Sequence, residues 1–431
     1  MNRKAVEWLY EQVPEWVEKG IIPEASAALI RNHYGPADKK TGGKTVLTMF
    51  GIIGAILIGL GMILILAHNW DELSRMTRMF IAMGMLVTAQ IVAGFSLWWK
   101  RDSTAWMESA STFLMVAIGA SISLVGQTYH ISDDFSAFML SWMVLSIPLV
   151  YLMGVTTPGL LYLIGITTWA LSRESYSIDK HLIWVLFGFI IPYYWNSLKE
   201  KPYANPTVLI SWFFTLSFYI CFGKAFETLL EHLYMLIYAA LFAAAYFIGI
   251  IWFDDPTRAW QKPFKAIGLA GCIGVSFLLT FKDIWRSIGQ EFYSIGMPES
   301  ILTFLLLILV AVLGRMAVNK KMGNSVLFAT IPAVAGFGFL LLYFDLSGIN
   351  STILLNGYVA FLSITVILKG IREGSLGRLN IGMLMIAILI IMRFFDINFS
   401  FVARGLVFVT LGSCFLAANW IMVRRKKEVV K

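Results

Sequence analysis

The sequence predicts an all-α, polytopic helical membrane protein of about fourteen transmembrane helices, preceded by a small cytosolic helical hairpin. Three observations predict it. Of the 431 residues 58% are hydrophobic and 14% charged, whereas a soluble domain carries about 25% charged residues. Apolar runs follow one another almost without pause from residue 45 to residue 423, most of them near the roughly 20 residues a span requires. The cations, finally, fall unequally between alternating loops.

Residues 1–44 form the sizeable polar segment. Asn2 to Lys19 reads as a helix with Trp8, Val13 and Trp16 on or near one face and Pro14 as a break or restart. Gly20 suits the residue that closes it. Pro23 suits the first turn of a second helix, which carries Ala27, Ile30 and Tyr34. So small a pair buries little core of its own, and is expected to lie on the membrane face of the protein or on a partner. No apolar run sits near residue 10, as a cleavable signal would place it, so the first span is expected to remain in the mature chain.

The transmembrane region, 45–423, reads as spans at 45–67, 78–98, 109–127, 136–154, 158–172, 181–197 and 207–223. The remaining spans are 231–253, 264–281, 300–316, 323–344, 351–368, 378–394 and 402–423. The fifth is short, and with the fourth it also reads as a re-entrant pair around Gly154 and Pro158. Residues 424–431 are a basic tail. With both termini inside, 25 of the 34 Lys and Arg fall on inner segments and 9 on outer ones, the bias of the positive-inside rule. Trp70, Trp98, Trp99, Trp195, Trp252 and Trp420 stand at span ends, as an aromatic belt requires. The net charge of +8 is spread in short clusters between apolar runs and makes no basic face, so no nucleic-acid partner is expected. Cys221, Cys272 and Cys414 lie inside apolar runs without metal or redox spacing.

Several stretches resemble a family of bacterial membrane proteins catalogued as domain of unknown function 2157. They are Trp16 with Gly20-Ile21-Ile22, Ile30 and Tyr34; the glycine-rich run Gly51 to Gly61 ending in Ala67-His68-Asn69-Trp70; and Gly126-Gln127-Thr128-Tyr129-His130. The resemblance covers roughly residues 5–150. Arg393-Phe394-Phe395-Asp396, with Arg404-Gly405 after it, is similar to the end of related multi-span proteins. The resemblance implies a bacterial plasma membrane as the home of the chain; it supplies architecture and no chemistry.

All the Lys, Arg, Asp and Glu fall in loops or within a turn or so of a span end, so no mid-membrane carboxylate marks a proton path. Gln90 and Asn356 are mid-span polar residues suited to interhelical hydrogen bonds, and Pro332 with Gly336 and Gly338 reads as a break or kink in the eleventh span. The richer cluster is outer by parity: Asn69, Gln127, His130, Asp133, Asp134, Arg393, Asp396 and Arg404. Arginine's planar fork suits carboxylate or phosphate, so these residues predict an outward-facing pocket for an anionic small molecule or lipid, its arginines paired with Asp133, Asp134 or Asp396 when empty. The alternative is interfacial salt bridging and snorkelling. His68, His130 and the aspartates have zinc-compatible chemistry but no short ligand spacing, and no P-loop, GxSxG or dinucleotide fingerprint stands in a usable context. No cofactor or metal is therefore expected. Binding or transport of a small solute or lipid leads. An enzyme acting on a lipid-linked substrate through His130 with Asp133 or Asp134, and a scaffold whose hairpin holds a cytosolic protein, remain open.

Overall fold

The structure, a computed structural model, describes residues 3–34, 41–68, 73–131, 134–173, 181–228, 230–254, 258–290, 292–320, 326–396 and 401–430. It is 88% helix, and no strand occurs among the described residues. The chain divides into two compact units, Met1–Gly159 and Leu160–Lys431.

The first unit opens with α1 (Arg3–Glu18) and α2 (Glu24–Tyr34). Pro14 lies within α1, which runs on through it; the expected break does not occur. Gly20 ends the helix at φ +68. Its N–H donates to Val17 O, and that of Ile21 to Trp16 O, which satisfies the last carbonyls as a left-handed glycine allows. Then come α3 (Thr41–His68), α4 (Arg75–Trp99), α5 (Thr104–Tyr129), α6 (Phe135–Met153) and α7 (Thr156–Ser172), which crosses into the second unit. α5 packs against α3, α4 and α6. The buried face of α4 is Ala82, Met85, Ala89, Ala93 and Ser96, a stripe at three- and four-residue spacing. In lipid, where burial gives no drive between helices, small residues let backbones come close enough for packing to hold them. The Ser121 hydroxyl donates to Ala82 O at 3.0 Å across that seam.

The second unit contains α8 (Ile183–Glu200), α9 (Asn205–Phe226), α10 (Tyr234–Trp252), α11 (Pro263–Leu278), α12 (Lys282–Gln290), α13 (Met297–Asn319), α14 (Ile331–Phe344), α15 (Ile349–Arg372), α16 (Leu376–Asp396) and α17 (Phe401–Val430). α10 is its core: Ala239, Ala240 and Ala243 are wholly buried, and α11, α13 and α14 pack around it. A Cβ on Gly268 would lie 2.4 Å from the backbone nitrogen of Tyr246, so the approach of α11 to α10 requires glycine there. α17 turns Leu406, Val409 and Leu416 outward, side chains that lipid would cover.

Each predicted apolar run coincides with one helix, α3–α11 or α13–α17. Ten of the described helices are long and apolar enough to cross a membrane. Two expectations need correction. Residues 282–299, which the predicted spans leave as the connection between the ninth and the tenth, contain the amphipathic α12, which makes a 79° bend with α11. The backbone break therefore falls beside the ninth predicted span. The eleventh runs as helix through Gly336 and Gly338, with a short 3-10 turn, Leu327–Thr330, before Pro332.

Candidate functional site

In the first unit the loop between α5 and α6 is built by two of the predicted site residues. His130 closes α5 in the left-handed region, at φ 50 and ψ 43, and is the one non-glycine residue with positive φ among those described. The Ile131 N–H donates to Gly126 O at 3.0 Å, completing the cap. Asp134 starts α6: its carboxylate accepts the Ala137 N–H at 3.0 Å, satisfying one of the donors a helix N-terminus leaves over. Asn69 and Asp133 lie outside the described residues.

A pocket of about 690 Å³ opens between α4, α5 and α6, within the size range of small-molecule sites. Its walls are chiefly apolar, with Met83, Leu86, Ile122, Val125, Phe135 and Phe138 among them. Gln127 and Asp134 stand at the end where α5 finishes and α6 begins, and Ser121, Ser123 and Ser141 lie further along. Two of the predicted site residues therefore share one cavity, and Asp134 is its only charged lining residue among those described. His130 is exposed and does not line it. The polar end and apolar length of this open groove suit an amphiphile.

Arg393 and Arg404 belong to the second unit and are half-buried. Arg393 Nη2 donates to the Thr280 hydroxyl at 3.0 Å, and its guanidinium lies 5.3 Å from the centroid of the Phe281 ring. Both contacts fall on the bend between α11 and α12. Carbonyls at such a bend lose the regular helical donor. Here Trp285 Nε1 donates to Leu279 O at 2.7 Å, and Asn356 Nδ2 donates to Thr280 O at 3.0 Å and to Thr352 O at 2.8 Å. Side chains thus occupy backbone carbonyls that line cation sites in broken-helix transporters, and a guanidinium stands beside them. Arg404 lies in the first turn of α17, and the Asp396 side chain lies outside the described residues.

Two buried carboxylates escaped the sequence reading. Glu108, on α5, accepts the Thr156 N–H at 2.9 Å and the Thr157 N–H at 2.8 Å, at the start of α7. Glu299, on α13, accepts the backbone N–H groups of His232 and Leu233 just before α10, and its second oxygen lies 3.3 Å from His232 Nδ1. Each places its carboxyl oxygens at a helix N-terminus, where they accept N–H groups that have no partner within the helix. The available signal was a lone glutamate in the opening turns of an otherwise apolar run.

No curated protein and no solved structure matches the chain. Its apolar helices and a family match together make it a polytopic helical membrane protein. The matched stretch is residues 14–159, which holds α3–α6 and their pocket, and the family it is similar to is described as predicted membrane protein (DUF2157).

Proposed function

We propose that the chain is a bacterial plasma-membrane protein of about fourteen spans, termini inside, that binds or moves a small amphiphile through the pocket between α4, α5 and α6. The observation that carries this reading is the convergence of Gln127 and Asp134 on one mostly apolar cavity. A polar end beside apolar walls is what a lipid or a small solute with an apolar tail requires. Photocrosslinking with a lipid bearing a diazirine in its acyl chain tests it. Label should concentrate on peptides from 83–86 and 121–141, and filling the cavity by Ala137→Phe should reduce it there. Label spread evenly over the lipid-facing helices, unchanged by that substitution, would sink the proposal.

Exposed Ile21 and Leu29 motivate a second reading, a scaffold role for residues 1–44. Loss of a co-purifying cytosolic protein on deleting residues 1–40 is the expected result. Unchanged co-purification would remove this second reading.

A further inference from the structure

We infer that the α4–α5–α6 pocket selects an amphiphile whose head group carries an ammonium. The inference rests on the pocket reading above and adds the sign of the ligand's charge. The sequence places Arg393 and Arg404 in the same outer cluster as Asp134 and so points to an anionic ligand. Those arginines fall in the second unit, and the pocket is lined wholly by the first.

Three features of the polar end point to a cation. Asp134 supplies the only charge among the described lining residues. Gln127 adds an amide oxygen as an acceptor. α5 finishes there, at Tyr129, and a helix C-terminus carries a partial negative charge. Two features would favour an anion: the NH2 group of the Gln127 amide, which balances its oxygen, and the N-terminus of α6, which the Asp134 carboxylate already occupies through the Ala137 N–H. A phosphate or carboxylate head would face Asp134 and the end of α5 together. An ammonium meets a carboxylate and an amide oxygen as acceptors while its chain lies along Phe135, Phe138 and Leu86.

Phosphatidylethanolamine and phosphatidylglycerol with identical chains isolate the difference, since both carry the phosphate and only one carries the ammonium. The full-length protein is equilibrated with an equal mixture, and retained lipid is counted by native mass spectrometry. The expected result is a preference of about tenfold for phosphatidylethanolamine, the order of one charge-assisted hydrogen bond. Asp134→Asn should abolish the preference, because asparagine caps a helix as well as aspartate and only the charge is lost. Equal retention by the wild-type protein, or a preference for phosphatidylglycerol, overturns the ammonium assignment. So does a preference that survives Asp134→Asn. Ala137→Phe separates the two readings: loss of both lipids supports the pocket whatever its head-group choice, and retention of both removes the pocket and this inference with it.

Discussion

Glu299 holds His232 by two bonds: one carboxylate oxygen accepts its backbone N–H at 3.0 Å, and the other lies 3.3 Å from its ring Nδ1. The first oxygen also accepts the Leu233 N–H. Glu299 is 2% exposed, so these donors replace the water it gives up. Truncating it strands buried N–H groups, each at about 1–3 kcal/mol. Glu299→Ala should therefore destabilise the protein by roughly 2–5 kcal/mol, read as a lowered melting temperature in detergent. Glu299→Gln keeps one acceptor oxygen and should lose less. An alanine variant that melts with the wild type would show that α10 is anchored without this carboxylate.

Glu108 makes the corresponding anchor in the first unit, from α5 to the start of α7. Its removal leaves the Thr156 and Thr157 amides without their acceptor. Hydrogen exchange gives a local readout that global melting cannot. In Glu108→Ala these two amides should exchange at least tenfold faster, since an opening cost lowered by about 1.4 kcal/mol is already a factor of ten. The amides of His232 and Leu233 should keep their rates. Unchanged exchange at Thr156 and Thr157 would mean that the bonds contribute nothing to holding this end.

His130 tests whether a residue flagged for chemistry has a structural explanation. It sits at φ 50, where a side chain costs roughly 1–2 kcal/mol that glycine avoids. Histidine is one of the residues that tolerate the region better than most. As a cap alone, His130→Gly should leave stability unchanged or raised by up to about 1 kcal/mol, with lipid retention intact, while His130→Val should destabilise. Retention or turnover lost in the glycine variant, with folding intact, would restore a chemical role.

The helices were readable because lipid as solvent leaves a strong mark: a run such as 351–368 has few other ways to fold, and α15 covers it. Contacts were harder. Gln127 and Asp134 reached one pocket because they flank a short connection, so their proximity is nearly local. Arg393 and Thr280 stand 113 residues apart in the chain, and nothing periodic in either segment names the other. The amphipathic α12 carried a signal in Ile284, Trp285 and Ile288 between polar residues, but nine residues are too few to announce themselves against a loop. Glu108 and Glu299 stood at the edges of their runs, where charged residues are usually solvated, and only the packed structure buries them.

Asp254 gives a pH prediction outside the spans. Burial raises its carboxyl pKa, but Lys262 and Lys265 outweigh that and hold it below the usual aspartate value. The ammonium groups lie 2.7 Å and 2.8 Å from Oδ1. A carboxyl depressed in the folded state contributes stability that is present above its unfolded pKa and is lost as pH falls through its folded one. Melting temperature should therefore fall on acidification below the ordinary carboxylate range. The part of that fall due to this cluster should disappear in Lys262→Met with Lys265→Met. The group is partly exposed, so the effect is small and shrinks with salt. An acid limb identical in the double variant would assign the fall to other carboxylates.

The bend between α11 and α12 yields the most stringent test of how a helix can break inside an apolar protein. Thr280 is fully buried, and its carbonyl is taken by Asn356, its hydroxyl by Arg393. If these bonds hold the bend, Asn356→Leu, with the same branching but no donor, orphans the Thr280 carbonyl and should cost about 1–3 kcal/mol. Thr280→Val keeps the shape but removes both the acceptor of Arg393 and the donor to Phe277 O, and should cost at least as much because hydrogen bonds to charged groups are worth about 1.5–3 kcal/mol. The two act on one network, so the double variant should cost less than the sum of the singles. The thermodynamic cycle is measured by reversible unfolding in mixed micelles. Additive losses would show two independent bonds. Losses below about 0.5 kcal/mol for both singles, the size of an ordinary surface change, would show that the bend is held by the packing of Trp285 against Phe339, whose rings lie 5.3 Å apart, and that the polar groups merely accompany it.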